Sequence, residues 1–163
     1  VQVEIGQGGR LTTAADALNF ILAGNAVFTL VSRATSARYT YKVSRAVDRV
    51  GRPSATLFKE DTAGPVYFVS LLAGPDNTAD YVYLGIIRDG AFRLTQKSKL
   101  TTASKPVQAF TWTLTRLLLS HLPLNVEVWH TGRCGRCARL LTVPESVARG
   151  IGPECAARMD GAA

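Results

Sequence analysis

The sequence predicts an α+β protein: an antiparallel sheet packed by two helices, with a C-terminal treble-clef-like zinc finger. Three observations lead there. Short segments rich in Val, Ile, Tyr, Phe and Thr follow one another across turn clusters, with no helix between most of them, which is the pattern of an antiparallel sheet. Two other stretches carry apolar residues at helical spacing. All three cysteines, Cys134, Cys137 and Cys155, fall in the last 30 of the 163 residues. An odd count confined to one end argues for a local metal site in a reducing compartment and against a disulfide framework.

Residues 1–10 read as a mobile or edge segment, because Gly6, Gly8 and Gly9 do not feed a helix as a phosphate loop must. Thr13 is a fitting N-cap for a first helix whose Ala14, Leu18, Ile21 and Leu22 share a face, and Gly24-Asn25 stops it. Strands are expected over 26–32, 38–45, 66–72, 81–87 and 91–96, with Asp89-Gly90 as a tight hairpin between the last two. Residues 46–64 hold Gly51, Pro53 and the Lys59-Glu60-Asp61 cluster and read as a surface excursion. A second helix is expected from Ser104 to His121, with Val107, Phe110, Leu114, Leu117, Leu118 and His121 on one face and Pro123 ending it. A last strand over 125–129 leads into the cysteines. The organisation expected is a sheet part, 1–125, and a zinc-finger part, 126–163.

Composition bounds the function. Hydrophobic residues make up 47% and charged ones 19%, which excludes a disordered tail or fibrous repeat. No apolar run approaches the length of a membrane span, and no basic segment precedes a hydrophobic stretch as in a secretory leader, so no membrane partner is expected. The net charge of +7 favours a polyanionic partner.

The chemistry is concentrated in His130-Thr-Gly-Arg-Cys134-Gly-Arg-Cys137 and Gly150-Ile-Gly-Pro-Glu-Cys155. Cys-x-x-Cys lets two thiolates reach one ion from a tight knuckle, with Gly135 supplying the backbone freedom of the turn. Gly152-Pro153 opens a helix that places Cys155 in its first turn, where the helix dipole favours a thiolate. Three sulfurs and one imidazole make a closed tetrahedral site for a structural Zn²⁺. His130 is the expected fourth ligand, with Asp160, Glu154 and His121 as substitutes. Thr142-Val-Pro-Glu145 is a capping-box pattern for a short helix over 143–149. A knuckle, a connection and a helix whose first turn donates a ligand describe a treble-clef-like finger. The segment over roughly 130–158 also resembles an uncharacterised zinc-type domain family of phage and plasmid hypothetical proteins, through its Cys-Gly-x-Cys and Gly-Ile-Gly-Pro-x-Cys elements. That resemblance implies a mobile-element origin and metal binding. It departs from the pattern at Ala138, where a glycine is usual after the second cysteine.

Two basic groups suit a nucleic-acid or acidic partner: Arg38, Lys42 and Arg45 on the second strand, and Arg133, Arg136 and Arg139 on the knuckle. Alternation sets Arg38, Thr40, Lys42 and Ser44 on one strand face and Tyr39, Tyr41 and Val43 on the other. Tyr67, Phe68, Tyr81 and Tyr83 read as core rather than as a base-stacking platform, which needs exposed aromatics on neighbouring strands. Redox and deaminase readings lack their surrounding motifs, and no nucleophile elbow or Walker loop is present. The expectation is therefore a zinc-stabilised, non-catalytic nucleic-acid-binding accessory protein of a phage or mobile element, acting in the cytoplasm of the bacterial host. The alternative is a protein-interaction module, such as a phage-encoded inhibitor occupying a host defence complex or nucleoprotein. A metal-dependent nuclease is the remaining enzymatic form.

Overall fold

A computed structural model describes residues 9–46 and 64–160. The described residues form β1 (Arg10–Leu11), α1 (Ala14–Ile21), β2 (Asn25–Ser32), β3 (Arg38–Arg45), β4 (Tyr67–Leu72), β5 (Tyr81–Arg88), β6 (Ala91–Arg93), α2 (Lys105–Leu118), β7 (Val126–His130), α3 (Pro144–Arg149) and α4 (Pro153–Asp160). The seven strands make one antiparallel sheet in the order β1-β7-β2-β3-β4-β5-β6. The excursion expected over 46–64 lies almost wholly outside the described residues. No helix of the described residues is long and apolar enough to cross a membrane.

Alternation along the strands divides the sheet into two unlike faces. Phe28, Leu30, Tyr41, Val43, Val69 and Val128 point one way and are buried together with Phe20 and Ile21 of α1 and Val107, Phe110, Leu114 and Leu117 of α2. Phe110 lies 5.1 Å from the ring of Tyr41 and 4.9 Å from that of Phe92, so α2 is keyed to the sheet by aromatic contacts. Burying a side chain such as Phe110 contributes about 1.5–3 kcal/mol, whereas a cap such as Thr13 contributes roughly 1 kcal/mol. Packing therefore decides where these helices sit. The one phenol buried among the rings, Tyr41, donates to the carbonyl oxygen of Pro106 at 2.6 Å, which removes the penalty of an unpaired hydroxyl. Burial drives its pKa well above the ordinary tyrosine value.

Several sequence expectations change here. The second helix stops at Leu118 rather than His121, because Ser120 takes a left-handed conformation (φ 60°) and the His121 amide turns back to the Arg116 carbonyl. His121 is exposed and carries no packing role. Asp89 and Gly90 both have positive φ, as a tight two-residue hairpin needs. Ser104 caps α2 by position only; its hydroxyl accepts instead from the Thr101 amide. Of the four aromatics read as core, Tyr67 is buried among the helices, whereas Phe68 and Tyr83 meet on the opposite face at 6.4 Å. A bulge between Val69 and Ser70 in the β4–β5 pairing shifts the register on that side.

β7 enters the sheet as an interior strand between β1 and β2, not as a tail leading away from it. Leu141, Ile151, Cys155 and Ala156 belong to the same buried cluster as Leu11, Phe20 and Phe28. The parts expected at 1–125 and 126–163 thus share both a sheet and a core.

Candidate metal centre and basic groove

The knuckle is built by the chain leaving β7. Gly132 takes φ 82°, Arg133 bridges to Leu140, and the Cys134 amide donates to the Arg139 carbonyl at 2.8 Å, closing a short hairpin around Cys134 and Cys137. The hairpin is sewn to β2: the Asn25 amide donates to the Gly135 carbonyl at 2.6 Å and the Asn25 side chain to the Arg136 carbonyl at 2.8 Å. Gly135 has a role other than turn flexibility. A Cβ there would lie 2.7 Å from the ring of Phe20, so the glycine is needed for close approach to α1. The strained position of the turn is Ala138, at φ 63°. This is the position at which the sequence departs from the pattern it resembles, and a left-handed conformation is the one glycine adopts without steric cost. An L-residue there costs about 1–2 kcal/mol, and glycine's extra unfolded-state freedom takes back about 0.4–1 kcal/mol. Ala138→Gly should therefore raise stability by about 0.5–1 kcal/mol, read as a higher denaturant midpoint with an unchanged slope.

α4 begins at Pro153 and brings Cys155 to the knuckle, so the Sγ atoms of Cys134, Cys137 and Cys155 all lie within 4.8 Å of one another. Cys134 and Cys155 are buried and Cys137 is exposed. The Cys134 sulfur accepts from the amides of Gly152 at 3.3 Å and Arg136 at 3.4 Å. Burial works against its thiolate, but the amides of Gly152, Cys137 and Arg136 outweigh it and hold the thiol below its ordinary pKa. Cys155 goes the other way. Burial first, and then the two neighbouring sulfurs, push its thiol up to about 11, so the helix start does not by itself yield a thiolate there. Three sulfurs within 4.8 Å of one another are a donor set for a thiophilic cation, whose charge replaces the protons the thiols give up. The residues fit a soft or borderline metal, which would supply a cross-link between knuckle and helix.

His130 is not brought to this cluster. Its ring is buried 5.4 Å from that of Phe20, and both nitrogens are engaged. Nε2 lies 2.6 Å from the Val147 carbonyl, and Nδ1 accepts from the Gly132 amide at 3.0 Å. That pair of bonds assigns the neutral Nε2–H tautomer. The substitutes fare no better. Glu154 pairs with Arg139 at 3.7 Å and Asp160 with Arg149 at 3.5 Å, and neither joins the sulfurs.

The basic residues separate into different settings. Lys42 and Arg133 line one groove of about 540 Å³ on the sheet face away from the helices, with Val27, Thr29, Thr40 and Tyr81. Lys42 stands over the Tyr81 ring at 5.7 Å, and the hydroxyls of Thr29 and Thr40 meet at 2.8 Å. Arg38 shares this face by alternation. Arg45 does not: its parity is that of Tyr41 and Val43, and it lies near Tyr67. Arg136 lines neither this groove nor the one at the sulfurs, and Arg139 lines the latter. Of the groove threonines, Thr40 was placed on this face by its alternation with Lys42, whereas Thr29 was missed, although it alternates with the buried Phe28 and Leu30 and so is placed outward by period alone. Nearby carboxylates are already occupied. Asp76 accepts from Thr78 and Ala79, bonds that hold it below the usual carboxylate range, and Glu127 accepts from the Trp129 indole at 3.0 Å.

Residues 128–160 match a family described as a family of unknown function (DUF6011). That span takes in β7 from Val128, the knuckle, α3 and α4, the segment that holds all three sulfurs and His130. No curated protein and no solved structure matches the chain.

Proposed function

We propose that this chain is a zinc-stabilised, non-catalytic nucleic-acid-binding protein of a phage or mobile element, with a treble-clef-like finger as its structural clamp. The observation that carries the reading is the groove in which Lys42 of the sheet and Arg133 of the knuckle converge beside Tyr81. Two cations contributed by separate elements provide paired phosphate contacts, the threonine hydroxyls add donors, and the tyrosine adds an aromatic surface. The excess of 19 Lys and Arg over 12 Asp and Glu supports a polyanionic partner. Zinc is favoured by three sulfurs on a knuckle and a helix start, and the treble-clef form by the hairpin bridge at Arg133 and Leu140 followed by a ligand-bearing helix. The phage or plasmid setting rests on the motif resemblance. Unpaired cysteines that must stay reduced to bind metal suit a host cytoplasm.

The test is a salt titration of binding to labelled single- and double-stranded oligonucleotides. Affinity should fall steeply with salt, and Lys42→Ala and Arg133→Ala should each lower the slope of log K against log salt by about 1, the signature of a lost phosphate contact. A dissociation constant no better than about 1 mM at low salt would sink the reading.

A further inference from the structure

All three sulfurs line a groove of about 290 Å³, whose other walls include Arg139, Leu140, Val143 and Arg158. A tetrahedral ion held by three sulfurs keeps one position for another ligand. Among the described residues no histidine, carboxylate or further cysteine joins the cluster. His130 is committed to Val147 and Gly132. Glu154 is the one carboxylate on the wall; its side chain is 77% exposed and turned toward Arg139. We infer that the three-sulfur site takes its fourth ligand from outside the described chain, through this groove, and that the ligand is a small thiol bearing carboxylates.

This inference rests on the metal reading but not on nucleic-acid binding. The wall chemistry selects the ligand class. Leu140, 63% exposed, and Val143, 42% exposed, offer apolar surface for a short carbon body. Arg139 and Arg158 offer guanidinium groups for carboxylates. The Arg139–Glu154 pair is solvent-exposed and therefore weak, so an incoming carboxylate replaces Glu154 at little cost. A fourth sulfur also suits an ion already bound by three, since thiolate ligands are soft donors. On binding, the thiol loses its proton to buffer and its sulfur takes the place of solvent; no electron is transferred.

The experiment uses the full chain loaded with Co²⁺, whose sulfur-to-metal absorption counts thiolates. Reduced glutathione and β-mercaptoethanol are titrated in separately, and gel filtration checks that cobalt stays with the chain. The expected result is one cobalt per chain and a saturable rise in charge-transfer absorbance of about one third, as three sulfurs become four. Glutathione should half-saturate at roughly one tenth of the β-mercaptoethanol concentration, and Arg158→Ala should narrow that difference. Stoichiometric cobalt with a spectrum indifferent to millimolar thiol would mean that the chain fills the position itself, and the inference falls. Cobalt stripped by the thiol overturns it too. A chain that binds no cobalt fails earlier, at the metal reading.

Discussion

Cys155→Ser should leave the chain without its metal and destabilise it by more than about 4 kcal/mol, beyond the range of ordinary substitutions. The size follows from where the cysteines sit. A finger appended by a linker would melt alone, but Cys134 and Cys155 belong to the same buried cluster as Leu11, Phe20 and Val128. Without the cross-link, α4 loses its tie to the knuckle. Gly135 and Gly150 then no longer hold Phe20, whose ring lies where a Cβ on either would go, at 2.7 and 2.5 Å. Hydrogen exchange should accordingly rise in α1, β1 and β7 as well as in the finger, while β3, β4 and β5 keep their protection. A strong chelator should reproduce the effect in the unmodified chain. Metal affinity should also fall with falling pH, because Cys155, pushed up to about 11 without metal, must give up its proton to bind. A Cys155→Ser protein as stable as the metal-loaded chain would remove the metal from the account of the fold.

Strands β2 to β5 and the helices α1 and α2 were legible because each is written in a periodicity that one buried face enforces. The two-residue β1 is too short to carry such a pattern, and β6 stops at Arg93, short of the expected Gln96. β3 runs over the expected residues, Arg38–Arg45, since its tyrosines and valine alternate strictly with Arg, Thr, Lys and Ser. The knuckle and the Cys155 helix start were legible for another reason: ligand spacing is a local property. What escaped was non-local. Nothing in residues 125–130 says that this strand inserts between β1 and β2, and so nothing foretold that sheet and finger share a core. Similarly, the groove combines Lys42 with Arg133, residues whose proximity depends on that insertion. The setting of the histidine was hidden by the same gap. Four residues before a cysteine knuckle is a plausible ligand spacing, but strand parity turns the ring toward Phe20 and α3.

His130→Leu is the sharpest test of that reassignment. Removing the imidazole leaves the Val147 carbonyl and the Gly132 amide without their partner, and each unpaired buried group costs about 1–3 kcal/mol, so the loss expected is about 2–4 kcal/mol. Metal content should remain one ion per chain, since no sulfur is touched. The pH dependence provides an independent readout. Burial lowers the imidazole pKa from 6.5, the bond to Val147 opposing it only in part. Below 6.5 the unfolded chain therefore takes up a proton that the folded chain refuses, so stability falls as pH drops from there toward the lowered folded value. The leucine variant lacks this component, and the difference between the two stability curves should shrink as the solution is acidified. Acid weakens metal binding in both proteins, which is why the difference rather than either curve carries the information. Loss of the metal from His130→Leu, with the fold otherwise intact, would return the imidazole to the coordination sphere. Retention of metal with lost stability places it where the hydrogen bonds do: as the neutral pin between β7, the knuckle and α3.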